Sequence, residues 1–67
     1  MMLYLEPGGR DFAKQVILRW LEETGGSNLK VLETATGLPE RLVSFLLAEL
    51  MTEGRVKLDK AVFKVKA

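Results

Sequence analysis

The spacing of apolar residues changes once along this chain, and that change constrains the fold more than any other feature. Before Gly54, apolar side chains recur every three to four residues, as in amphipathic α-helices. After Gly54 they alternate with polar residues, as in β-strands, at Val56, Leu58, Phe63 and Val65. The link around Asp59 and Lys60 is short, so the sequence predicts a tightly turned β-hairpin after a helical region.

Glycine and proline divide the helical region into three segments. The first ends at Thr24-Gly25-Gly26 and has an apolar stripe at helical spacing, formed by Phe12, Val16, Ile17, Trp20 and Leu21. The second runs from about Leu29 to Thr36, with Leu29, Leu32 and Ala35 on one side. Gly37 follows it and is placed to adopt the left-handed conformation that ends many helices.

The third helix is predicted from Pro39-Glu40 to about Glu53. Proline and an acidic residue suit a first helical turn, because proline lacks only a donor that would have no partner there. Leu3-Tyr4-Leu5 is a candidate for a further short strand. The chain shows no repeat and no linker, so we expect a single domain over residues 1–67, of the α+β class and mainly α.

Composition narrows the classes of function. The 67 residues include no cysteine and no histidine, which removes the thiol nucleophile, the commonest general base and the usual zinc ligands. We therefore expect a protein that is not an enzyme, with no metal, no cofactor and no evident small-molecule substrate. No apolar run approaches the length of a signal peptide core or a membrane span, so we also expect no membrane partner and a cytoplasmic location.

The order of elements and one spaced motif resemble those of winged helix-turn-helix domains. The segment from Gly37 to Val56 is similar to the second half of the winged-helix domains of MarR-like and ArsR-like bacterial regulators, and the chain also resembles small stand-alone winged helices. The matching residues are Gly37, Leu38, Val43, Ser44, Leu47, Leu50, Gly54 and Val56. The resemblance implies three helices, a C-terminal β-hairpin wing and DNA binding with the third helix in the major groove.

Charge is distributed unevenly along the chain, and two interpretations fit the distribution. Residues 1–53 contain five bases and eight acids, a net charge of −3, whereas residues 54–66 contain five bases and one acid, a net charge of +4. Lysines that only protect an exposed strand edge would give the same pattern, and we weigh the two interpretations about equally. The predicted contacts to double-stranded DNA are Arg41, Ser44, Arg55, Lys57, Lys60 and Lys64.

The third helix departs from the pattern of DNA-reading relatives. At about 100° per residue, Phe45 falls on the side of the helix almost opposite Val43, which belongs to the core stripe. At the position of Phe45 the resembling regulators carry polar or basic residues. An exposed phenylalanine suits a protein partner or a second copy of the chain, so we hold protein interaction as the alternative function. Its predicted contacts are Leu42, Phe45 and Leu46. In a different interpretation, Phe45 folds against the wing or the N-terminal strand and completes a small core.

Overall fold

The computed structural model describes residues 7–66 and contains three helices followed by a hairpin. The elements are α1 (Pro7–Thr24), α2 (Leu29–Thr36), α3 (Glu40–Thr52), β1 (Val56–Asp59) and β2 (Val62–Val65). This confirms the α+β, mainly α class with a C-terminal wing, and the layout is compatible with a winged helix. The strand predicted at Leu3-Tyr4-Leu5 lies outside the described residues. Within the described part, no helix is long and apolar enough to cross a membrane.

The core lies where the three helices meet the start of the hairpin. The third helix contributes most, because its stripe of Val43, Leu46, Leu47 and Leu50 is at most 1% exposed. The other members are Ala13, Ile17, Leu18, Leu21, Leu32 and Val56. Three of these α3 positions repeat every three to four residues in the sequence, as the prediction required.

The apolar stripe of α1 is rotated from the one that the sequence predicted. Phe12 is 65% exposed and Val16 is 36% exposed, whereas Ala13, Ile17 and Leu21 are buried. The physical reason is that α1 packs against β2 as well as against α2 and α3. The buried face is therefore turned away from Phe12 and Val16. The expected apolar side of α2 is also only partly buried, since Ala35 is exposed.

Two glycines end helices as predicted. Gly37 closes α2 at φ +70°, and its N–H donates to the Glu33 carbonyl at 3.0 Å. After α3, Gly54 adopts φ +76°; its N–H donates to Met51, and the next N–H, of Arg55, donates to the Leu50 carbonyl. These paired bonds form a Schellman motif. They turn the chain directly from α3 into β1.

The hairpin is closed by two residues and is extended by one residue from elsewhere in the chain. Lys60 and Ala61 form the turn and both have positive φ, 52° and 66°, as in the turns that match the twist of paired strands. Ser27, between α1 and α2, exchanges two backbone hydrogen bonds with Phe63, of 3.0 and 2.8 Å. A third strand position therefore lies beside β2, which the sequence analysis did not predict.

Candidate nucleic-acid interface

One face of the hairpin collects most of the cations of the C-terminal segment. In the antiparallel register Lys57 lies opposite Lys64, and Val56 lies opposite Val65 on the other face. One step further, the Lys66 N–H donates to the Arg55 carbonyl at 2.9 Å, which sets those two residues opposite each other. Val56 is buried, so the valine face packs on the helices, whereas Arg55, Lys57 and Lys66 on the basic face are exposed to solvent.

This basic face consists of Arg55, Lys57, Lys64 and Lys66. Three of the four residues are exposed, and the Lys64 side chain is 40% exposed. Asp59 is the one carboxylate near them on the hairpin, with an oxygen 3.6 Å from the Lys64 ammonium. Lys60 adds a further exposed cation at the turn. The structure therefore brings together four predicted contact residues: Arg55, Lys57, Lys60 and Lys64.

The segment before α2 packs closely against β2 near Lys64. Gly26 lies so close to β2 that a Cβ there would sit 2.9 Å from both Lys64 Cγ and Val62 Cγ1. Beside it, Ser27 is buried, and its hydroxyl accepts a hydrogen bond of 2.9 Å from Trp20 Nε1. Trp20 of α1 thus anchors the strand position that borders the basic face.

The remaining predicted DNA contacts lie elsewhere. Arg41 and Ser44 are exposed on α3, near its start. About 17 Å of helix axis separates Arg41 from Thr52, where α3 ends and the chain turns toward β1. Arg41 and Ser44 are therefore residues of α3 and not members of the basic face of the hairpin.

The structure corrects two expectations for α3, one about Phe45 and one about Leu46. Phe45 is 50% exposed, so the interpretation that buries it in the core is wrong. Leu46 is fully buried and offers no surface to a partner, because it lies on the core side of α3 next to Val43. Leu42 is partly buried and packs against the core. Phe45 is the exposed member, in a shallow groove of about 250 Å³ shared with Ala48, Glu49, Thr52 and Glu53.

A cluster of charges between α1 and α3 was not predicted. The Lys14 ammonium donates to Glu53 at 2.7 Å and lies 3.4 Å from a Glu49 carboxylate oxygen. The Arg10 guanidinium lies 3.8 Å from the other oxygen of Glu49 and 5.8 Å from the centre of the Phe45 ring. The hydrogen bond to Glu53 raises the pKa of Lys14 above its ordinary value, against the effect of burial.

That cluster had a signal in the sequence. Arg10 and Lys14 are spaced four residues apart on α1, and Glu49 and Glu53 are spaced four apart on α3, so each helix presents a pair of like charges on one side. Only the packing of α1 on α3 shows that the pairs meet. Both cations are engaged with carboxylates, which leaves the hairpin as the larger group of cations turned to solvent.

Comparisons with known proteins give no relative. A scan against protein-family models matched no family, and searches of curated proteins and of solved structures returned no match. Among residues 7–66, no group of three or more His, Cys, Asp or Glu side chains could hold a metal ion.

Proposed function

We propose that this protein is a small winged-helix DNA-binding protein, a transcriptional regulator or accessory factor that contacts mainly the DNA backbone. The basic face of the hairpin is the principal contact, and Lys60 at the turn and Arg41 on α3 contribute further phosphate contacts. The resemblance to MarR-like and ArsR-like regulators supports the assignment at the level of layout. The chemistry of the hairpin supports it at the level of individual residues.

The single observation that supports the proposal best is the pairing of like charges across the hairpin. Directly opposite residues in an antiparallel pair have Cβ atoms about 5 Å apart, and like charges there are destabilising. Lys57 faces Lys64, and Arg55 faces Lys66. Asp59 offsets part of this repulsion. A bound phosphate would relieve the rest, so the folded hairpin is arranged to favour an anionic partner.

The proposed DNA binding is weak and nearly independent of base sequence. Base readout uses bidentate Arg, Lys, Asn or Gln side chains, and on the exposed side of α3 Arg41 is the one such residue. The Thr52 hydroxyl already donates to the Ala48 carbonyl at 3.0 Å. Glu40 and Glu49 would repel phosphates. Phosphate contacts position a protein on DNA without specifying sequence.

A charge-matched pair of variants tests the proposal. Lys57→Glu changes the basic face, and Lys30→Glu makes the same change at an exposed position on α2. With four or five phosphates contacted, log K against log salt should fall with a slope of about −4 for the wild type. Lys57→Glu should weaken binding and bring the slope to about −3, and adding Lys64→Glu should abolish binding. Lys30→Glu should leave the slope unchanged. Equal effects of Lys57→Glu and Lys30→Glu on a duplex titration would contradict the proposal.

Protein interaction through α3 is the second candidate function. The observation that favours it is the half-exposed ring of Phe45, which lies beside Ala48 in a groove bordered by carboxylates. Aromatic anchors contribute much of the binding energy at interfaces. The partner would be another protein or a second copy of this chain. Variants at Phe45 separate this candidate from the first, because that ring lies outside the basic face.

A further inference from the structure

A second phenylalanine, Phe12, is more exposed than Phe45 and lies on another side of the molecule. It is 65% exposed on α1, at one end of a surface groove of about 340 Å³. The groove is lined by Phe12, Gln15, Val16, Leu18, Arg19 and Glu22. An aromatic ring with this exposure contributes little to the core, which leaves a face of the ring open to a planar ligand.

A neighbouring groove lies against the hairpin. A second groove of about 240 Å³ lies between α1 and the hairpin and shares three residues with the first: Gln15, Leu18 and Glu22. Its far side includes Arg55 and Lys66, which belong to the basic face. The two grooves, together called the α1 groove, therefore border one another along α1 and extend from the Phe12 ring to two of the hairpin cations.

The chemistry of the α1 groove combines three kinds of contact. Phe12 offers a stacking surface, Gln15 offers an amide, and three cations line the walls: Arg19, Arg55 and Lys66. Among residues 7–66, Glu22 is the one carboxylate in the lining of the two grooves. An aromatic platform beside a cationic track is the arrangement by which proteins bind single-stranded nucleic acid, since every base has a face that stacks.

We propose that the α1 groove binds single-stranded nucleic acid, with an unpaired base stacked on Phe12 and neighbouring phosphates at Arg55 and Lys66. The inference rests on the proposed function, because the same hairpin cations hold the phosphates. It adds a substrate class, since the bases of an intact duplex are stacked on one another and cannot lie on Phe12. The chemistry is shared by DNA and RNA, so both are probes.

The two exposed phenylalanines supply a matched control. Fluorescence anisotropy would follow labelled oligothymidine and oligouridine of about ten nucleotides, a length within known single-strand site sizes, and a duplex of equal length. Phe12→Ala should weaken both single strands about fivefold or more and change duplex binding less than about twofold. Phe45→Ala should change neither. Phe12→Leu, which keeps an apolar side chain but removes the ring, should reproduce the loss.

A second pair of variants tests the groove through charge. Glu22→Gln removes the carboxylate of the groove, whereas Glu23→Gln removes its neighbour, which faces Trp20 and α2 instead. Both changes alter the net charge equally. Glu22→Gln should therefore tighten single-strand binding more than Glu23→Gln, because Glu22 lines the groove and its carboxylate repels a phosphate bound there.

The outcomes separate this inference from the proposed function. If Lys57→Glu weakens all three probes while Phe12→Ala leaves single-strand binding intact, the single-strand site is overturned and the backbone contact stands. If Lys57→Glu weakens none of them, the proposed function fails, and the inference fails with it. Selective loss of single-strand binding in both Phe12 variants, with Phe45→Ala unaffected, supports the α1 groove.

Discussion

Truncation of two neighbouring residues on α3, Phe45 and Leu46, should lower stability by different amounts. The sequence placed both in one apolar contact surface, but the structure exposes half of Phe45 and buries Leu46 completely. Replacing each with alanine in turn removes a large apolar side chain from the same helical turn. The comparison therefore tests the orientation of α3 and the second candidate function together.

The expected loss in the free energy of unfolding depends on how far each side chain is buried. Leu46 lies in the core, so Leu46→Ala loses the transfer free energy and also leaves a cavity, together about 2–5 kcal/mol. At Phe45 half of the side chain is already in water, and solvent fills the space that it leaves. Half of the free energy of fully burying such a side chain is about 1 kcal/mol. Loss of the contact between the Arg10 guanidinium and the ring adds about 0.5 kcal/mol.

Thermal and urea unfolding followed by circular dichroism would measure both losses. One kcal/mol shifts the melting temperature of a domain of this size by roughly 4–8 °C. Phe45→Ala, at about 1.5 kcal/mol, should therefore lower the melting temperature by roughly 6–12 °C, and Leu46→Ala, at about 2–5 kcal/mol, should lower it further. Sedimentation at two protein concentrations, run on the wild type and Phe45→Ala, would show whether the ring supports self-association.

Equal losses in the two variants would refute the orientation of α3 described here. A loss at Phe45 as large as that at Leu46 would mean that the ring is part of the core, and it would remove the second candidate function at this residue. If Phe45→Ala stays folded and disrupts a dimer or a complex with a protein partner, the ring is an interface anchor. A folded variant with unchanged association would leave the hairpin as the candidate surface.

Two further predictions concern the cluster of charges between α1 and α3 and the turn of the hairpin. Because the pKa of Lys14 is raised in the folded state, its contribution to stability is complete below its unfolded value of 10.5 and is lost as pH rises through the folded pKa. Wild type should thus be more stable than Lys14→Met at about pH 8 in urea titrations, and a gap that did not shrink toward about pH 12 would contradict this. Ala61→Gly should stabilise the protein by roughly 0.5–1 kcal/mol, since Ala61 has a φ of 66° that glycine adopts without strain; the same unfolding assay would expose an error if stability fell.

The candidate site could be predicted from the sequence only where local pattern decides it. The alternation after Gly54 sets Lys57 and Lys64 on one face of any hairpin formed there, because side chains on a strand alternate. It could not show the third strand position at Ser27. Ser27 pairs with Phe63, which is far away in the chain. A single residue between two helices has no periodic pattern from which a strand could be predicted.

The buried face of α3 could be predicted from the sequence, whereas the buried face of α1 could not. The sequence by itself determined that α3 buries Val43, Leu47 and Leu50, because one apolar stripe dominates that helix and its glycine-bounded ends fix its length. On α1 two apolar stripes overlap, and periodicity cannot choose between them. The tertiary structure decided, since β2 packs on α1 and turns Phe12 outward while Lys14 turns inward to meet Glu53. Period and turn chemistry are local properties, whereas which face is buried depends on everything that packs against it.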